Sequence, residues 1–128
     1  MPLVRIELRA GTPAAVQRAI ADRVHQALVE TITIPPADRF QLISEYAAEH
    51  FIYDPSYLNI SRTDQLVILQ ITISLGRTLE QKRALYRRIV ELLAEHPGIR
   101  PEDIFINLVE VAKENWSFGQ GVAQYAPE

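Results

Sequence analysis

The chain of 128 residues has no cysteine, which excludes disulfides, thiolate zinc sites and cysteine nucleophiles together. No apolar run approaches the ~18 residues of a spanning helix, and the first residues lack the basic and apolar segments of a secretory leader. A cytoplasmic protein with no membrane partner is expected. Positive charge is also short: 13 Lys and Arg stand against 16 Asp and Glu, for a net charge of −3. That balance excludes a sequence-independent grip on nucleic acid, which needs a basic face. The three histidines, His25, His50 and His96, are not at metal-ligand spacing, so each is expected to be structural. Gly119-Gln120-Gly121 follows an aromatic residue rather than a strand-to-helix switch, so no phosphate loop is present. Small anionic or neutral partners remain, and no cofactor is expected.

What the chain does have is a repeat. An offset of 65 lays GTPAAVQRAIADRVHQALVETITIPPADRFQLISE, from Gly11, on GRTLEQKRALYRRIVELLAEHPGIRPEDIFINLVE, from Gly76, without a gap. Arg18 then meets Arg83, Arg23 meets Arg88, Leu28 meets Leu93, Pro36 meets Pro101, Asp38 meets Asp103, Phe40 meets Phe105 and Glu45 meets Glu110. Agreement at turn, helix and strand positions at once points to two copies of one supersecondary unit.

Each copy reads strand, helix, strand. Val4, Ile6 and Leu8 alternate with Arg5 and Glu7, giving the first strand one buried face. Its counterpart, QLVILQITI, is more continuously apolar and reads as a central strand. Thr12 before Pro13 predicts a helix start with the hydroxyl as cap, and Val16, Ile20, Val24, Ala27 and Leu28 share one helical face. In the second copy Thr78 and Gln81 have capping-box spacing, Leu85, Ile89, Leu92 and Leu93 form the apolar stripe, and His96-Pro97-Gly98 ends it. FQLISEY and IFINLVEV close the units as parallel partners of the strands that open them. The expected fold is therefore α+β in two layers, in one domain spanning 1–128. Units of about 2–46 and 65–111 form a four-stranded mixed sheet with both helices on one face, followed by a C-terminal hairpin tail at 112–128. The face without helices would leave apolar residues bare, which predicts association in a closed ring.

Chemistry could begin at Pro2. Small second residues generally allow the initiator methionine to be removed, and Pro2 would then carry a secondary amine at a strand end. A free α-amine titrates at about 8, and an apolar pocket lowers it toward neutrality, giving a useful base. Asp38 has two readings: a partner for that amine, or the organiser of a Pro-x-Asp turn like Asp103. Arg77 stands at a helix start, where a cation opposes the macrodipole, so a grip on a substrate carboxylate is weighed against a solvated surface role. Arg39 reads as an exposed strand residue. The aromatics of HFIYDPSYLN are expected to pack over the sheet edge.

Pro2 before LVRIEL, PPADRF around Asp38, LGRTLEQKR, and NWSFGQG with Tyr125 behind it together resemble the tautomerase superfamily, from Pro2 to Tyr125. That group contains 4-oxalocrotonate tautomerase, macrophage migration inhibitory factor and malonate semialdehyde decarboxylase, and the decarboxylase branch is the most similar. The resemblance implies a tautomerase-like fold, a homotrimer or hexamer, and cofactor-free chemistry on a small 2-oxo or 3-oxo acid. It makes Pro2 the general acid or base, Asp38 its polar partner and Arg77 the carboxylate anchor, with Trp116, Phe118 and Tyr125 as pocket walls. Leu75 also borders the substrate, but it stands where the decarboxylases carry the first of two arginines. Keto-enol interconversion is thus the leading expectation, with decarboxylation or hydration of a three-carbon oxo acid, or a non-catalytic oligomer, as alternatives.

Overall fold

The computed structural model describes residues 1–127. Strand β1 (Leu3–Arg9), helix α1 (Ala14–Ile32) and strand β2 (Phe40–Tyr46) form the first unit; β3 (Val67–Ser74), α2 (Leu79–Glu95) and β4 (Ile104–Val111) form the second. The sheet order is β2-β1-β3-β4. β1 pairs with β2 and β3 with β4 in parallel, while β1 and β3 run antiparallel. The duplication extends to register: Leu3 pairs with Phe40, and Ile68 with Phe105, their images in the repeat.

Alternation decides which face is covered. Val4, Ile6 and Leu8 of β1 and Leu69, Ile71 and Ile73 of β3 are buried against Ile20, Val24, Ala27 and Leu28 of α1 and Leu85, Ile89, Leu92 and Leu93 of α2. Full burial of each such Leu or Ile contributes about 1.5–3 kcal/mol before chain entropy is charged against it. Because period two sends neighbours to opposite faces, Phe40, Leu42, Phe105 and Val109 stand on the other side, between 36% and 51% exposed.

Two local expectations need correction. Thr12 does not cap α1. Pro13, at φ −57° and ψ 144°, occupies the cap position itself, and the Thr12 hydroxyl, displaced by one residue, donates to the Arg9 carbonyl at 3.2 Å. By contrast, Thr78 and Gln81 form the full capping box on α2. Nor is there a C-terminal hairpin among the described residues: β4 is followed by a single 3₁₀ turn, Lys113–Asn115, and irregular turns. Gly119, Gln120 and Gly121 all have positive φ, which breaks the extended runs a hairpin needs. Gln124 closes the resulting loop, accepting from the Phe118 amide at 2.9 Å and donating to the Gly119 carbonyl at 3.0 Å.

Candidate active site

Antiparallel pairing of Leu3 with Thr72 brings the start of β1 beside the end of β3, and parallel pairing with Phe40 brings in the segment before β2. The first residues, Asp38 and the Ser74–Arg77 stretch therefore meet at one end of the sheet. Pro2 is buried there. The Met1 amino group lies 2.8 Å from both carboxylate oxygens of Asp38, in a partly buried ion pair. The Asp38 main chain does make the turn, its amide donating to the Pro35 carbonyl at 2.9 Å, but its carboxylate faces the amine. Met1 also fills the neighbouring space, its Sδ accepting from the Ser74 amide at 3.1 Å. While Met1 is attached, the Pro2 nitrogen is an amide and has no basicity.

Aromatic rings cover this end. Trp116 stacks on Phe118 with centroids 5.4 Å apart and planes 6° from parallel. Phe118 meets Tyr125 edge-on at 4.8 Å and Phe40 at 6.2 Å. The Trp116 indole donates from Nε1 to Ser74 Oγ at 3.0 Å, and Ser74 is completely buried. The three aromatics singled out in the sequence are thus gathered by the tail. Phe40 and Ser74 were not anticipated. The available signals were Phe40 two residues beyond Asp38, and a serine ending the apolar run of β3.

Arg77 lies at this end too, between the positive-φ Gly76 and the cap of α2. It has no carboxylate partner among the described residues. Its guanidinium makes one long contact, 3.4 Å from Nη2 to the Ile32 carbonyl. That oxygen belongs to the last turn of α1, whose negative end favours a cation and which has no basic residue of its own. The unfavourable position before α2 is therefore offset by the end of α1. Leu75 is 57% exposed; only its main chain is tied down, the amide donating to the Val111 carbonyl at 2.9 Å.

Other candidates lie elsewhere. Arg39 precedes β2 and is not a free surface group: it bonds Gln41 at 2.7 Å and Asp22 at 2.6 Å, and its guanidinium, the largest influence, holds the Asp22 carboxyl below the usual range. In the connector, Phe51 packs between Tyr46 and Tyr53, while Tyr57 is exposed. His25 Nε2 lies 2.8 Å from the Pro36 carbonyl. Among the described residues no cluster of three or more His, Cys, Asp or Glu is placed to hold a metal ion. A cavity of about 530 Å³ lies at the opposite end of β1, bordered by Leu8, Arg9, Thr12, Asp64, Val67 and Pro97.

Family models described as tautomerase enzyme match residues 2–61 and 38–119. The chain belongs to the tautomerase enzyme family. A probable tautomerase of Bacillus subtilis (strain 168), YusQ, is 43% identical over 97% of this chain and 98% of its own. The structure of FG41 malonate semialdehyde decarboxylase inhibited by 3-bromopropiolate is 40% identical with a TM-score of 0.90, covering 96% of this chain and 93% of that one. A fused 4-OT, solved as a wild-type symmetric trimer, shares the fold at 22% identity and a TM-score of 0.79, covering 98% and 99%. Membership of this tautomerase family supports an isomerase activity. No helix among the described residues is long and apolar enough to cross a membrane.

Proposed function

We propose that this tautomerase works without a cofactor, using Pro2, freed by removal of Met1, to interconvert the keto and enol forms of a small 2-oxo acid. The observation that supports the reading is the terminal amine held on Asp38, at the sheet end that also carries the aromatic rings and an arginine with no carboxylate partner among the described residues. Loss of Met1 moves the terminus one residue along, to a nitrogen already buried at this end. There, low polarity favours the neutral amine and the Asp38 carboxylate favours the ammonium. The opposition lets one nitrogen serve both halves of a proton transfer: it takes the enol hydroxyl proton as the carbonyl forms, then returns a proton to carbon 3.

Arg77 anchors the substrate carboxylate through paired hydrogen bonds, giving up its long contact to Ile32. Trp116, Phe118 and Tyr125 wall an aryl 2-oxo acid, with Leu75 at the rim. The uncovered apolar face, with Phe40, Leu42, Phe105 and Val109, supports a homotrimer.

The test follows ketonisation of phenylenolpyruvate by absorbance. The wild-type chain is expected to accelerate it, Pro2→Ala to lose about 10²- to 10⁴-fold, and intact mass to show Met1 absent. Full turnover by Pro2→Ala, or by protein that keeps Met1, overturns the reading.

The likeness to a malonate semialdehyde decarboxylase and the terminal amine paired with the Asp38 carboxylate support a second reading, decarboxylation of a 3-oxo acid. In that reaction the bond to the carboxylate breaks, carbon dioxide departs, and the carbon left behind takes its proton from the prolyl ammonium. Leu75 removes one of the two cations that the decarboxylases carry. Release of carbon dioxide from malonate semialdehyde, increased by Leu75→Arg, would favour this reading over the first.

A further inference from the structure

We infer that Ser74 is a positioning residue: its buried hydroxyl fixes the plane of the Trp116 indole, and through it the Phe118 ring, over the substrate. The inference rests on the proposed function and adds to it a group outside the expected set.

An indole N–H can only donate. Trp116 belongs to a tail without strand pairing among the described residues, so ladder hydrogen bonds do not set the ring's orientation. Its one side-chain bond runs to Ser74 Oγ, 3.0 Å away, on a residue with no exposure at all. Phe118 lies 6° from the indole plane and touches Tyr125 and Phe40 in turn. One hydroxyl thereby fixes the ring at the head of a chain of four.

Two observations separate this from routine satisfaction of a buried polar group. The image of Ser74 in the repeat is Arg9, so a hydroxyl at the end of this strand is not something the duplicated fold requires. In addition, the Ser74 amide contacts Met1 Sδ, which places Ser74 against the space that Met1 vacates. The residue joins the amine's surroundings to the aromatic cover.

Trp116 is the sole tryptophan, so its fluorescence reports the ring alone. In Ser74→Ala the emission should shift to the red and acrylamide quenching should increase. KM for phenylenolpyruvate should rise about fivefold, the loss expected for one such bond, with kcat and its pH profile within about twofold of wild type. Trp116→Phe should raise KM similarly, and adding Ser74→Ala to it should change nothing further. Unchanged emission and KM overturn the inference. So do a spectral shift without a KM change, and a parallel fall of kcat and the thermal midpoint with KM constant. Pro2→Ala with full turnover would overturn the functional reading alone, and the fluorescence pair would still decide whether Ser74 fixes the ring.

Discussion

The two ends of the sheet are images of one another, yet they differ in every feature that bears on chemistry. At one end stand Pro2, Ser74, Arg77 and Asp38; the repeat places Val67, Arg9, Thr12 and Asp103 at the other. Asp38 meets an amino terminus. Asp103, fully buried, accepts from the Thr63 amide and hydroxyl at 2.7 Å each and from Arg100 at 3.3 Å. The far end contains the 530 Å³ cavity, but Arg9 there is paired with Asp64, and the nitrogen in the place of Pro2 is a mid-chain amide. Duplicating the unit copied the architecture without the proposed base, because a polypeptide has one amino terminus. The cavity marks where the fold leaves room, and the proposed chemistry follows the terminus instead.

The widest separation between the ends should come from removing each aspartate. Asp103→Ala strands the Thr63 amide and hydroxyl, and should cost about 2–5 kcal/mol in urea unfolding with little effect on turnover per folded molecule. Asp38→Ala should cost less than half as much, since it strands a single terminal amine where Asp103 holds an amide, a hydroxyl and an arginine, while lowering kcat/KM by roughly 10²-fold. Equal stability losses at both positions would mean that Asp38 is a turn organiser like its image.

A smaller effect is expected from moving the cation. Arg77→Met should raise KM about 10- to 100-fold, as for loss of a charged hydrogen-bonded anchor, with a minor stability change because the Ile32 contact is long. Thr12→Arg places an arginine at the image of Arg77 and should leave turnover as it was, since no amine stands beside it. A rise in KM below threefold for Arg77→Met would return that residue to the role of helix-end counter-charge.

Much of this could be read from the sequence, and the limits were physical. The periods of two and 3.6, the capping box at Thr78 and the repeat with Gly11 on Gly76 predicted the strands, the helices and the parallel pairing within each unit, because each follows from main-chain geometry. Trp116, Phe118 and Tyr125 were legible as a group. Ser74 was not, because a serine closing an apolar strand acquires meaning only when a tail 42 residues later folds onto it. The supposed hairpin failed for a similar reason: alternating aromatics look like a strand, whereas ring-on-ring contacts and three successive positive φ angles give a loop. At Thr12 the error was one residue, the distance by which Pro13 takes over the cap.

The smallest expected effect lies where the units diverge in backbone strain. Thr33, the residue after α1, has φ 54° and ψ 40°. Its image Gly98 has φ 98°, also positive, and glycine adopts that region without penalty. A β-branched side chain there carries about 1–2 kcal/mol of local strain, partly balanced by the lower chain entropy that threonine has when unfolded. Thr33→Gly should therefore stabilise the chain by up to about 1 kcal/mol. It would also soften the segment that presents the Ile32 carbonyl to Arg77 and runs through Pro35 and Pro36 to Asp38. If the strain serves only the fold, the variant gains stability with kinetics intact. If it helps to set these two side chains, KM rises by about two- to threefold while the thermal midpoint increases, a pairing that loss of folded protein cannot produce.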